Sequence, residues 1–137
     1  MDTGLRTADT TALAYIGDAV YEVYIRKHAI EGAHTKTSEI NDRAVSFVNA
    51  NSQAACVRKL MSDGFLTEDE LVMVKRARNR TNTAHPRGAT PTEYKLATGF
   101  EALIGWLYMT GMTERLEAVV AQSIKITEGR MTYLKMI

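Results

Sequence analysis

Apolar residues recur at steps of three and four along almost the whole of this chain, and no stretch alternates apolar with polar residues as a half-buried strand must. That periodicity confines the fold to an all-α bundle of five or more helices joined by short turns and one longer basic loop. Leu13, Ile16, Ala19, Val20, Val23 and Tyr24 predict a first helix from near Thr10 to about Ile30. A second starts in the Thr35 to Ser38 region, carries Ile40, Ala44, Phe47 and Val48, and bends near Asn49 to Asn51. It continues through Ala54, Val57, Leu60 and Met61 until Gly64 ends it.

Later boundaries are written in capping residues. Thr67 with Glu70 forms a capping box, as does Thr90 with Glu93. In each the hydroxyl and the carboxylate satisfy helix N-terminal amides that have no partner in the helix. Pro91 takes the first helical position of the second box, where a missing amide costs nothing. A helix from Pro91 to about Thr110 follows, with Gly111 expected as its C-cap. Thr113 caps a last helix with an apolar stripe of Leu116, Val119, Val120 and Ile124, while 128–137 reads ambiguously.

The 137 residues, 45% of them hydrophobic, suffice for one core and read as a single domain over 1–137. The lone Cys56 excludes an intrachain disulfide framework and a cysteine-based zinc site, and its apolar neighbours make it a small core residue. The longest apolar run, Ala102 to Met109, is too short to span a bilayer, so a soluble cytoplasmic protein is expected. A net charge of +1 gives no bulk argument for a nucleic-acid partner. Locally the balance differs: no acid stands between Glu70 and Glu93, a window that holds Lys75, Arg76, Arg78, Arg80 and Arg87 with His85 beside them.

Two places break the rules of a good helix. Asp18 stands in the apolar run LAYIGDAV beside Gly17, and Glu101 stands in GFEALIGWLY with Gly99 and Gly105. Glycine inside a helix costs roughly 1 kcal/mol relative to alanine, so its presence asks for a reason, commonly a close backbone approach. Gly17 and Gly105 could mark one helix crossing, which would bring Asp18 and Glu101 together. Two desolvated carboxylates repel unless a proton or a cation lies between them, and oxygen-only ligands select Mg²⁺ or Mn²⁺. Spacing alone leaves open that each acid instead caps or ion-pairs within the fold.

The run Ala14-Tyr15-Ile16-Gly17-Asp18-Ala19-Val20 resembles the signature helix of the ribonuclease III family, and Phe100-Glu101-Ala102-Leu103-Ile104-Gly105 resembles its second acidic motif, in the same order and at similar separation. Between them Val48-Asn49-Ala50-Asn51-Ser52 is similar to the family's intervening helix, with an Asn at the position of Asn51. Two further family acids are replaced here by Ala14 and Thr98. No separate double-stranded RNA-binding domain is expected. Both departures, with the run ARNRTNTAHPRGATPTEYKLATGFEALIG, resemble the compact bacterial Mini-III branch.

The resemblance implies a homodimeric, ribonuclease III endonuclease-domain-like helical bundle that cuts double-stranded RNA to 5′-phosphate and 3′-hydroxyl ends. Asp18 and Glu101 would be both the catalytic and the metal-binding residues, and water would replace the missing ligands. Tyr15 falls where the family places an aromatic that enters the partner subunit; its spacing also suits an ordinary core aromatic. Lys75, Arg76, Arg78, Asn79, Arg80, Asn82, Thr83, His85 and Arg87 are candidate donors to RNA phosphates and 2′-hydroxyls, against the alternative of a solvated basic helix end. The implied substrate is the large-subunit (23S) ribosomal RNA precursor, with a large-subunit ribosomal protein as a further partner. The competing expectations are a non-catalytic double-stranded RNA-binding ribosome-assembly factor and an all-α dimerising module without nucleic acid.

Overall fold

A computed structural model describes residues 9–32, 36–80 and 89–136. The described residues form α1 (Thr10–Glu31), α2 (Thr37–Val48), α3 (Ala50–Ser62), α4 (Glu68–Arg80), α5 (Pro91–Met109) and α6 (Thr113–Met136), with no strand among them. The all-α expectation holds. Asn82, Thr83, His85 and Arg87 lie outside the described residues.

The expected bend at Asn49 is a full break between two helices. Asn49 is extended (φ −73°, ψ 158°), and its side chain serves both neighbours. Its Oδ1 accepts from the Ser52 amide at 2.9 Å, capping α3, while its Nδ2 donates to the Val45 carbonyl at 3.1 Å, closing α2. The Ser52 hydroxyl adds a 2.7 Å bond back to the Ser46 carbonyl. Short polar side chains that bond to nearby backbone offer the chain an alternative to continuing a helix, and here that alternative wins.

Both capping boxes form as expected. Thr67 and Glu70 exchange bonds of 2.9 and 3.2 Å, and Thr90 and Glu93 bonds of 3.2 and 3.1 Å. Gly111 is one residue past the observed C-cap, Thr110, in the left-handed region at φ 71°. There the Met112 amide reaches the Leu107 carbonyl at 3.0 Å and the Gly111 amide reaches that of Tyr108 at 3.1 Å, a Schellman ending. The segment 128–136, ambiguous in sequence, continues α6.

Helix α5 is the axis of the bundle. Leu96, Ala97, Phe100, Leu103, Ile104, Trp106 and Leu107 are all buried on it, and α1, α3 and α4 pack around it. Phe100 meets Tyr21 of α1 edge to face at 4.9 Å, and Cys56 is buried as expected. Two polar ties hold the outer helices. Glu70, fully buried, receives Arg115 Nε at 2.7 Å and Nη2 at 2.9 Å, while that Nη2 also donates to the Phe65 carbonyl at 2.7 Å. Glu128 of α6 pairs with His28 of α1 at 2.9 Å and Arg43 of α2 at 3.0 Å.

Candidate active site

Helices α1 and α5 cross where their glycines face one another. A methyl group built on Gly17 would fall on the backbone carbonyl of Glu101 and crowd the Gly105 amide; one built on Gly105 would fall on the Leu13 carbonyl and crowd Ile16. Only glycine permits the two backbones to come this close. Gly99 serves a second approach, since a methyl there would meet the Val74 carbonyl of α4 at 2.9 Å.

The crossing brings the two acids together, as the sequence suggested. Asp18 follows Gly17 onto the exposed side of α1, whereas Glu101 is half-buried on α5. Burial raises the Glu101 carboxyl from its ordinary 4.5 to about 8. The negative charge of Asp18, and the proton that Glu101 shares with it, push in the same direction. Gln53, whose amide lies beside the carboxyl, pushes the other way. Glu101 is thereby disposed to keep its proton at neutral pH. Asp18 borders a surface hollow with Tyr15, Ile16, Ala19, Glu22 and Val48.

Thr98 and Glu22 have partners of their own. The Thr98 hydroxyl donates to the Tyr94 carbonyl at 3.0 Å within its own helix, and Ala14 is buried. Glu22 pairs with Arg26 at 3.1 Å. Among the described residues no three His, Cys, Asp or Glu side chains converge. Asp18 and Glu101 form an oxygen-only donor pair, and this chemistry fits a hard divalent ion.

Gln53, on the first turn of α3, is the site neighbour that the sequence reading missed. It is only 2% exposed, and its Nε2 has no hydrogen-bond partner. Asn51, two residues earlier, points to the N-terminus of α5, where its amide, once turned so that the nitrogen faces Glu93, reaches both carboxylate oxygens at 3.2 Å.

The basic residues take different positions. Lys75, Arg76, Arg78, Asn79 and Arg80 ride the last two turns of α4, with Lys75, Asn79 and Arg80 exposed. Arg78 lines a hollow with Arg58, Met61, Ser62, Thr92 and Leu96, separate from the one beside Asp18. Tyr15 does not enter the core: it is 83% exposed. Phe100 and Trp106 are core residues, and Tyr108 is exposed.

Residues 11–112 match the Ribonuclease III domain. Over 114 residues the chain is 41% identical to the Mini-ribonuclease 3 of Enterococcus faecalis, spanning 83% of this chain and 86% of that protein. With the Mini-ribonuclease 3 of Streptococcus pneumoniae it shares 40% identity over 118 residues, 86% of this chain and 92% of the other. The fold is similar to a crystal structure of a Fusobacterium nucleatum protein, with a TM-score of 0.77 and 33% identity, covering 89% of this chain and 96% of that one. The glycine crossing and its two acids lie inside the matched domain, and the chain belongs to the ribonuclease III family, in its Mini-ribonuclease 3 branch.

Proposed function

We propose that this endoribonuclease of the ribonuclease III family cleaves double-stranded RNA in a Mg²⁺-dependent reaction, leaving 5′-phosphate and 3′-hydroxyl ends. The observation that carries the reading is the convergence of Asp18 and Glu101, with the Glu101 carboxyl raised to about 8. Asp18 and Glu101 would hold Mg²⁺, for which Mn²⁺ could substitute, with Glu101 ionised. When bound, the cation supplies positive charge to the transferring phosphoryl group and acidifies the attacking water. With two protein carboxylates, water would complete the coordination.

The chain's own residues do the rest. Lys75, Arg78, Asn79 and Arg80 on α4 are suited to phosphates and 2′-hydroxyls, the groups through which A-form RNA is gripped without base reading. A second copy of the chain, docked on the α1 face that bears Tyr15, would present a second acid pair to the other strand. The cellular substrate is the end region of the large-subunit ribosomal RNA precursor, with a large-subunit ribosomal protein as a further partner.

Purified protein is incubated with long double-stranded RNA and Mg²⁺, with and without EDTA, alongside Asp18→Asn and Glu101→Gln. Cleavage is expected to fall at least about a hundredfold in each variant, because several kcal/mol of transition-state stabilisation leaves with the cation. RNA binding is expected to persist. Cleavage that survives either substitution, or EDTA, sinks the mechanism.

A further inference from the structure

Arg58 and Arg78 reach one hollow from two different helices. Arg58 is exposed on α3, Arg78 is half-buried near the end of α4, and Met61, Ser62, Thr92 and Leu96 line the hollow with them. Neither guanidinium is paired with a carboxylate among the described residues, and the one side-chain bond to either runs from Arg78 Nε to Asn79 Oδ1 at 3.3 Å. Lys59, next to Arg58 on α3, shows the ordinary arrangement, held by Asp63 at 3.1 Å. Two cations that share a hollow without a counter-ion repel each other, and the arrangement suits an anion brought from outside. The first turn of α5 adds to this. Pro91 has no amide, the Glu93 amide is taken by the Thr90 hydroxyl at 3.1 Å, and the Tyr94 amide by the Thr90 carbonyl at 2.9 Å. Glu93, the acid of that turn, is itself held by the Thr90 amide at 3.2 Å. Thr92 is exposed, and its amide and hydroxyl are left without partners among the described residues, at the end of the helix that attracts negative charge.

We propose that this hollow between α3, α4 and α5 binds a backbone phosphate of the RNA duplex, with Arg58 and Arg78 donating to its oxygens and Thr92 as a further donor. The proposal rests on the reading of the protein as a double-stranded RNA nuclease, and adds Arg58 and Thr92 to the α4 residues suited to RNA. A guanidinium presents its N–H groups in a planar fork that matches a phosphate, so two of them converging favour that ligand over a single point charge. The hollow is separate from the one beside Asp18, so the phosphate held there is not the one that is cut. Contacts of this kind fix where a duplex lies and carry no sequence information.

The test uses the full chain. Affinity for a fluorescent RNA duplex is measured by anisotropy over a KCl series in EDTA, for wild type, Arg58→Gln, Arg78→Gln, the double variant, Arg58→Lys and Lys59→Gln, with a thermal melt of each. Arg58→Gln is expected to melt like wild type and to bind about tenfold more weakly at low salt. Its plot of log affinity against log salt should be shallower by about one, the share of one phosphate. Arg58→Lys keeps the charge and loses the fork, and should fall between Arg58→Gln and wild type. The double variant should lose less than the sum of its single losses, because both arginines hold one phosphate. Cleavage of the duplex in Mg²⁺ by Arg58→Gln should show a raised KM with kcat held. Single losses that add in the double variant, or an Arg58→Gln loss no larger than that of Lys59→Gln, overturn the site while leaving the nuclease reading intact. A wild type whose affinity for the duplex does not fall with salt overturns the RNA reading, and the site with it.

Discussion

A carboxyl group that keeps its proton at neutral pH ligates a cation only after releasing that proton, so Glu101 couples pH, metal and stability. Its value is about 8 in the folded chain against an ordinary 4.5. The folded state thus binds more protons than the unfolded state between those limits, and metal-free stability must fall as pH rises through that window. The contribution is fully present below about pH 4.5 and is lost as pH passes about 8. In EDTA, the urea midpoint is expected to decline from about pH 5 to about pH 8.5, and Glu101→Gln should remove that part of the slope. Mg²⁺ should restore the midpoint most at the alkaline end, where no proton has to be displaced. A wild-type midpoint that stays level, or falls equally in Glu101→Gln, refutes the coupling.

At the scale of the element, the α1–α5 crossing is where backbone packing and chemistry meet. Gly17→Ala and Gly105→Ala each drive a methyl group into backbone that cannot move aside as a side chain could. Overpacking of a core costs about 1–3 kcal/mol and occasionally more, and both variants should sit at or above the upper end, with cleavage lost because the acids separate. Gly129→Ala on α6 is the control, since nothing lies within 4 Å of the new methyl. It should stabilise by about 0.4–1 kcal/mol through the lost freedom of the unfolded chain. Chemical denaturation of the three variants decides, and a mild Gly17→Ala would mean that the crossing is looser than described.

These glycines, with Asp18, Glu101 and the two capping boxes, were legible in the sequence because each violates or satisfies a local rule within a few residues. Gln53 was not. Its inward turn depends on how Asn49 breaks the chain and sets the rotation of α3, and next to Ala54, Ala55 and Cys56 it reads as one more polar helix residue. Arg115 was missed for a similar reason, since its buried partner Glu70 is 45 residues away in sequence.

For the whole molecule, the surface of α1 carries the argument furthest. Tyr15, Val23 and Ile30 are 83%, 68% and 58% exposed, and exposed Ala12 and Ala19 continue their face along the helix. An apolar stripe of this length is costly in water and is expected to be covered. Tyr15 also borders the hollow that holds Asp18, so whatever covers the stripe stands at the edge of the proposed catalytic pair. A second copy related by a two-fold axis would set the two hollows on one valley, each able to cut one strand. Tyr15→Lys leaves the core untouched and should keep the helical CD spectrum, while the sedimentation expected of the proposed dimer gives way to that of a monomer at micromolar concentration. Double-strand cleavage should fall with it, although Asp18 and Glu101 stay in place, because a lone subunit offers half the valley. A wild-type chain that sediments as a monomer while cleaving duplex RNA at full rate would separate the stripe from the reaction and leave its cover to another partner.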